Sequence, residues 1–194
     1  MASLARPLTV VICIAAIAVV DAAKIKIKAD RDKTFDFKKV QTYLWNPSGA
    51  GEVKLLQASH DNAAELRARF EPVIVPAVEE TLASRRLTKA VGGAPADLRV
   101  SYYVLIGPNA DAQTMGQFLA PVPQWGLPPF APATQSLEIY EQGTLIVDLA
   151  SVAEDSVVWR GSASVEIDRQ NSDSVRNARI RDGIQGMFKK LPRK

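Results

Sequence analysis

The feature that most constrains the fold is a regular alternation of side chains over residues 157–167. Every second position is apolar or small, and these residues are Val157, Trp159, Gly161, Ala163, Val165 and Ile167. The intervening residues, which are predicted to face outward, are Val158, Arg160, Ser162, Ser164 and Glu166. A period of two is typical of a β-strand with one buried face. Because Gly161 and Ala163 are small, we expect a bulky element, such as a helix, to pack over that face.

The C-terminal segment supplies a helix that fits this position. A serine or aspartate within residues 172–174 is suited to cap its N-terminus. One stripe of the segment is apolar and consists of Ile180, Ile184, Met187, Phe188 and Leu191. Lys189 and Lys190 are expected in the last turn, where the helix dipole favours cations. Pro192 ends the pattern.

Residues 61–87 also have helical periodicity, although two prolines interrupt them. Their apolar stripe consists of Ile74, Ala77, Val78, Thr81 and Leu82. Ser59 or Asp61 could cap the start. A proline inside a helix costs roughly 3 kcal/mol. The main helix is therefore predicted to begin near Pro72 or Pro76, after a separate turn or short helix.

Five further segments have strand-like patterns, namely residues 24–29, 40–45, 98–106, 137–140 and 144–149. Residues 141–143 (Glu-Gln-Gly) are predicted to form a hairpin turn between the last two segments. The resulting element order is β-β-α-β-loop-β-β-β-α. It predicts an α+β domain with a largely antiparallel sheet of about five or six strands, and with two amphipathic helices packed on one face.

Residues 1–23 have the organisation of a secretory signal peptide. Arg6 precedes an apolar run from Pro7 to Val20, and small residues follow it. The run is shorter than the roughly 20 residues that a transmembrane helix needs. We therefore predict export to the periplasm or cell envelope, with residues 24–194 forming a single α+β domain. Cys13, the only cysteine, lies within the run rather than after it, so lipid anchoring is not predicted.

Several short motifs in the mature chain carry a family resemblance. They are Phe35, Phe37, Thr42–Trp45, Ala96–Tyr102, Gly143–Leu149, Val157–Gly161 and Met187–Pro192. Through them the chain resembles a bacterial cell-envelope family known as domain of unknown function 4136, many of whose members are exported lipoproteins. The resemblance implies the fold and an envelope location, and it supplies no activity and no catalytic residues. The chain departs from the family pattern because it lacks the acceptor cysteine of a lipoprotein.

Few residues in the sequence are suited to catalysis or metal binding. His60 is the only histidine, so a Ser-His-Asp triad would have to use it. Without thiols in the mature chain, a zinc site would need carboxylates for its remaining ligands. The adjacent carboxylates, Glu79/Glu80, Glu154/Asp155 and Asp30/Asp32, are interpreted as solvated surface groups. We therefore predict no catalytic residue, no cofactor and no metal site.

A proline-rich segment over residues 111–133 is predicted to be a long loop, because proline is excluded from central strands and helix interiors. It contains Phe118, Trp125 and Phe130. Two interpretations remain open for these aromatic residues. They could fold back as a lid over the sheet, or they could be exposed and contact a partner, such as an envelope protein, a peptide or a membrane surface.

The formal net charge of +3 is spread along the chain rather than clustered, so nucleic acid is not a predicted partner. Together these observations favour a non-enzymatic envelope protein that acts by binding. One alternative is a carboxylate-dependent hydrolase acting on cell-wall or lipid material, which would have a cleft with two converging carboxylates. Another is a structural module that self-associates through a sheet edge.

Overall fold

A computed structural model of the chain describes residues 24–55, 61–108 and 141–192. These ranges contain the strands β1 (Lys26–Arg31), β2 (Thr42–Trp45), β3 (Gly51–Leu55), β4 (Thr88–Lys89), β5 (Leu98–Pro108), β6 (Glu141–Ser151) and β7 (Ser156–Glu166). They also contain the α-helices α1 (Ala63–Ser84) and α2 (Asp173–Phe188), and a 3-10 turn at Phe37–Lys39. The predicted α+β class is confirmed.

The strands of the described ranges join one sheet in the order β1-β7-β6-β5-β2-β4, with β3 also paired to β5. The pairs β1–β7, β7–β6 and β6–β5 are antiparallel. By contrast, β2 and β3 run parallel to β5, and β4 runs parallel to β2. The prediction of a largely antiparallel sheet is therefore wrong. The sheet is mixed because α1 connects β3 to the strands that follow, and a helical crossover returns the chain in the same direction.

The sequence patterns do not predict the short strands β3 and β4. β2 pairs with the first residues of β5, and β3 pairs with the residues that follow. Gly49 turns the chain between them with a φ of 131°. Gly51 begins β3 beneath the ring of Tyr102, and a Cβ at this position would collide with that ring. β3 alternates between Gly51, Val53 and Leu55 on one side and the charged Glu52 and Lys54 on the other, but it is only five residues long and begins with a glycine, so its pattern is a weak strand signal.

The predicted hairpin turn at residues 141–143 is also wrong. These residues belong to β6 and pair with residues 106–108 of β5. The turn that links β6 to its next partner follows Ser151 and leads into β7, where residues 154–156 are polar, with Asp155 in the left-handed region at a φ of 46°. β6 is therefore longer at its N-terminal end than predicted, while the predicted strand over residues 137–140 lies outside the described residues.

A β-bulge modifies the predicted alternation of β7. The register shifts between Leu149 and Ala150 of β6, which pair with Trp159 and Val157 respectively. Val158 is therefore the extra residue, and it is fully buried rather than directed outward. Beyond the bulge the alternation holds, since Trp159 and Ala163 belong to the hydrophobic core.

The small residues of β7 are covered by α2, as predicted. A Cβ on Gly161 would lie 3.0 Å from the Cβ of Met187 and would collide with the indole of Trp159. A Cβ on Gly183 would lie 3.0 Å from the Cβ of Ala163. α2 is capped by Ser172, within the predicted residues 172–174. It ends at Phe188, so the two lysines that follow lie just beyond its last turn.

α1 is one continuous helix with Pro72 and Pro76 in its interior, so the prediction of a break near these prolines is wrong. The prolines are four residues apart and therefore share one face, which is exposed. Each proline lacks the backbone N–H that would bond the carbonyl group four residues earlier. On this exposed face, water can reach that carbonyl group. The opposite face is buried. Burial of a large apolar side chain stabilises a fold by about 1.5–3 kcal/mol, and this contribution offsets the cost of the prolines. The most buried residues of this face are Ile74, Val78 and Leu82.

The N-cap of α1 differs from the predicted one. Asn62 caps the helix, and its side-chain oxygen accepts hydrogen bonds from the backbone N–H groups of Ala64 at 2.9 Å and Glu65 at 3.4 Å. Asp61 therefore lies outside the helix, and Ser59 lies outside the described residues.

The two helices are parallel neighbours on the same face of the sheet. At their N-terminal ends, Arg69 of α1 forms an ion pair with Asp173 of α2. At their C-terminal ends, the Arg85 guanidinium donates hydrogen bonds to the carbonyl oxygens of Phe188 and of Leu191, the latter at 2.9 Å. The Phe188 carbonyl also accepts a hydrogen bond from the backbone N–H of Leu191, so Arg85 adds a second donor there and ties the end of α2 to α1.

A polar cluster ties α1 to β5. The Glu71 carboxylate accepts hydrogen bonds from Arg67 Nε at 2.8 Å and from the Tyr102 hydroxyl at 2.7 Å. Arg67, followed by Tyr102, holds the pKa of Glu71 below its ordinary value. Burial and the adjacent Glu71 carboxylate raise the pKa of Tyr102. The tyrosine is therefore a neutral donor and the glutamate a charged acceptor at neutral pH.

Gly161→Ala is expected to reduce the free energy of unfolding by about 1–3 kcal/mol, because the added Cβ meets the rigid indole of Trp159 and overpacks the core. Gly186→Ala is the matched control. Its Cβ meets only the flexible end of Ile27, and alanine stabilises a helix by about 1 kcal/mol relative to glycine. Urea denaturation followed by circular dichroism measures both variants. Equal destabilisation of the two would contradict the close packing of α2 on β7.

Glu71→Gln is expected to reduce the acid sensitivity of the fold. Since the folded-state pKa of Glu71 lies below its ordinary value of 4.5, its contribution is complete above pH 4.5 and is lost as the pH falls through the folded pKa. At neutral pH the free energy of unfolding of the variant is expected to be about 1 kcal/mol lower than that of the wild type. On acidification it should decrease by less than that of the wild type. Chemical denaturation over a pH series tests this, with the exposed Glu80→Gln as control. An unchanged pH dependence in Glu71→Gln would exclude the role assigned to this carboxylate.

Candidate functional site

The aromatic residues that the sequence suggests as a partner-contact loop, Phe118, Trp125 and Phe130, lie outside the described residues. His60 also lies outside them. The structure therefore leaves these predictions open. The candidate site described below comes from the geometry of the described residues.

A cavity of about 240 Å³ lies where the N-terminal halves of α1 and α2 meet β5, β6 and β7. Its apolar wall includes Leu66, Phe70, Ile74, Val104, Ile106, Leu145, Ala163, Val165, Ile167 and Ile180. Gly143 and Gly183 also line it. An apolar cavity of about 150 Å³ can hold a benzene molecule, so this one has room for a larger apolar group. Concave, mostly apolar cavities with a few polar groups are typical ligand sites.

Charged residues surround the mouth of the cavity. Asp173 forms ion pairs with Arg69 of α1 and Arg176 of α2, so two guanidinium groups share one carboxylate. The Arg69 guanidinium is the main cause of the lowered pKa of Asp173. Arg176 also donates a hydrogen bond of 2.9 Å to the carbonyl oxygen of Asn171. These contacts hold both arginines at the cavity, Arg176 in the first turn of α2 and Arg69 in the N-terminal half of α1.

Two further arginines line the same cavity. Arg169 pairs with Asp61, which also lines the cavity, with an Nη2–Oδ2 distance of 3.0 Å. Arg179 lies in the second turn of α2 and is half-buried. Among the residues that the structure describes, it has no ion-pair partner. Arg179 is therefore the arginine of this cavity whose guanidinium no carboxylate of the described residues neutralises.

Three residues that line the cavity carry carboxylates, namely Asp61, Glu166 and Asp168. Asp61 is bound by Arg169, and Asp168 accepts a hydrogen bond of 2.8 Å from the backbone N–H of Gln170. Glu166 is the last residue of β7 and is exposed. Two of the three carboxylates are therefore already engaged as hydrogen-bond acceptors.

The carboxylate pairs singled out in the sequence lie away from the cavity. Glu79 accepts hydrogen bonds from Lys89 Nζ at 2.6 Å and from the indole N–H of Trp45 at 2.8 Å, and neighbouring Glu80 is exposed. The pairs Glu154/Asp155 and Asp30/Asp32 are not among its lining residues. The interpretation of these groups as solvated surface carboxylates fits the exposed Glu80, whereas Glu79 is half-buried and engaged by Trp45 and Lys89.

A buried ion pair lies on the sheet face opposite the helices. Arg160 of β7 donates two hydrogen bonds to the Asp148 carboxylate of β6, each of 2.7 Å. Burial raises the pKa of Asp148, and Arg160 opposes this shift. Two parallel hydrogen bonds are a strong and specific arrangement. The guanidinium and the carboxylate neutralise each other's charge. The pair therefore fixes the register of β6 and β7.

Within residues 24–55, 61–108 and 141–192, no three His, Cys, Asp or Glu side chains group as possible metal ligands. In the same part of the chain, neither helix is apolar enough over sufficient length to cross a membrane.

Sequence reasoning missed the arginines of the cavity, although one signal was available. Arg176 lies in the first turn of α2, at the end of the helix where the dipole disfavours cations. A cation in that position calls for another explanation, such as a nearby anion. The proximity of Arg69 to Arg176 could not be inferred, because the two helices are far apart in the sequence.

The comparisons identify a family and several structural relatives. The model of a family described as a domain of unknown function (DUF4136) matches residues 27–193. A DUF4136 family protein from Bacteroides thetaiotaomicron VPI-5482 is similar over 87% of this chain and 96% of its own, with 15% identity and a TM-score of 0.50. At this identity the similarity concerns the fold alone.

Two other solved structures are more distant. A PDZ domain protein from Parabacteroides distasonis ATCC 8503 matches 91% of this chain and 39% of its own, with 11% identity and a TM-score of 0.48. The PelC dodecamer from Paraburkholderia phytofirmans matches 85% of this chain and 98% of its own, with 8% identity and a TM-score of 0.39. Comparison with curated proteins gives no significant match.

Proposed function

The chain belongs to the DUF4136 family, and from this premise we propose that it is an exported cell-envelope protein that acts by binding and catalyses no reaction. The binding site in this proposal is the cavity between the helices and the sheet. Export and binding rest on separate observations, and each is tested separately.

The cavity is the observation that carries the binding function. Its walls come from both helices and from β5, β6 and β7, so it is part of the domain core rather than a surface irregularity. Half-buried apolar residues at its edge, such as Leu66, Val165 and Ile180, are in reach of a ligand. Burial of such surface contributes about 25 cal/mol per Å².

The electrostatics of the site favour binding over hydrolysis. Hydrolysis of a glycosidic bond uses two carboxyl groups on either side of that bond. Here Asp61 and Asp168 already accept hydrogen bonds, and Glu166 is exposed at the end of β7. The arginines that dominate the mouth are suited to hold an anion.

Export is supported by residues 1–23, which combine Arg6, the apolar run and small residues before Lys24. The family match begins at residue 27, after this segment. The segment is therefore separate from the matched domain, as a removable signal peptide requires.

Val165→Trp is expected to weaken the binding of a neutral apolar dye, N-phenylnaphthylamine, because the indole of the new tryptophan fills the cavity. The wild type should bind the dye saturably with a rise in its fluorescence, and the variant should bind at least about tenfold more weakly. The matched control is Val152→Trp, an exposed valine between β6 and β7 that does not line the cavity. Absence of binding to the wild type, or equal binding to a folded Val165→Trp, would overturn the binding function.

Mass spectrometry of the protein isolated from its native host is expected to find an N-terminus at Ala23 or Lys24, because signal peptidase cleaves after small residues. Cell fractionation should place this species outside the cytoplasm. An N-terminus at Met1 would contradict release by cleavage and indicate that the apolar run is retained as a membrane tether.

A further inference from the structure

The cavity has an apolar interior and a mouth rich in arginine, and this asymmetry indicates the class of its ligand. We propose that the ligand is an anionic amphiphile with a single acyl chain, whose carboxylate or phosphate contacts Arg179 and whose chain occupies the cavity. This inference rests on the binding function proposed above and adds the chemistry that the site selects.

The arginines that line the cavity differ in their partners. Asp173 is shared by Arg69 and Arg176, and Asp61 is bound by Arg169. In the described part of the chain, Arg179 is left without an ion-pair partner. A ligand anion would supply the missing partner, and guanidinium groups match carboxylate and phosphate oxygens in two parallel hydrogen bonds.

The direction of the helices strengthens this preference. The ion pair of Arg69 with Asp173 joins the N-terminal ends of α1 and α2, and Arg85 joins their C-terminal ends. Both helices therefore direct the positive ends of their dipoles towards the mouth of the cavity. The fields of two parallel helices add, so an anion is favoured there and a cation is disfavoured.

The interior is suited to a hydrocarbon chain. Its apolar residues come from five elements, and the volume of about 240 Å³ exceeds that needed for a single aromatic ring. Arg179 precedes Ile180 in α2, and both line the cavity. The anchoring group and the start of the apolar wall are therefore adjacent, as the head and the first methylene groups of an amphiphile are.

Displacement of N-phenylnaphthylamine by ten-carbon amphiphiles tests the inference. Decanoate, decyl phosphate, decanol and decyltrimethylammonium are compared below their micellar concentrations and at low salt. At least one of the two anions is expected to displace the dye at a concentration at least about tenfold lower than decanol or the cation, since hydrogen bonds to charged groups are the stronger ones. If decanoate binds more tightly, the ligand class is a fatty acid; if decyl phosphate binds more tightly, it is a phosphate-bearing lipid.

Arg179→Gln is expected to remove the advantage of the anions while leaving the affinity for decanol unchanged. Arg181→Gln is the matched control, because this exposed arginine lies on the same helix and does not line the cavity. It should retain the wild-type preference, and added salt should weaken the anions alone.

The outcomes separate the two proposals. Equal displacement by decanol and by the anions, or an unchanged anion preference in Arg179→Gln, would overturn the anionic ligand while the binding function stands. Stronger displacement of the dye by decyltrimethylammonium than by the anions would also overturn the anionic ligand and leave the binding function standing. Failure of the dye itself to bind to the wild type would overturn the binding function.

Discussion

The fold depends on the close contact between α2 and β7, which small residues make possible. Gly161 faces Met187, and Ala163 faces Gly183, so the helix approaches the strand almost to backbone contact. This approach brings the rings of Trp159 and Phe188 to a centroid distance of 5.0 Å. The same small residues extend into the candidate site, since Ala163 and Gly183 line the cavity. Close packing and the space for a ligand therefore have one origin, the absence of large side chains along this seam.

The position of α1 is set by polar contacts rather than by shape alone. Glu71 accepts hydrogen bonds from Tyr102, and Glu79, two turns later, accepts them from Trp45 and Lys89. The two carboxylates are eight residues apart and therefore lie on similar sides of the helix. They fix its rotation against β2, β4 and β5. With that rotation fixed, its N-terminal apolar residues face the cavity, and its prolines face solvent.

The sequence predicts those features that depend on local pattern. The alternation around Gly161, the apolar stripe of α2 and its cap at Ser172 are all local signals, and the structure contains them. The parallel pairing of β2 and β3 with β5 depends on long-range contacts that no local pattern encodes. The continuity of α1 through its prolines depends on which face is buried, which is a tertiary property. The cavity combines arginines from two helices, so its charge could not be predicted from either segment alone.

The topology also has a consequence for the time at which the fold is completed. β1 is the first strand of the sheet, yet its partner is β7, with Lys26 opposite Ser164. The edge of the sheet can therefore form only after nearly the whole described chain is available. Sheets that depend on such distant pairings form slowly, because loop closure precedes the contacts that stabilise it. Until β7 is available, β1 has no strand to pair with in the described part of the chain.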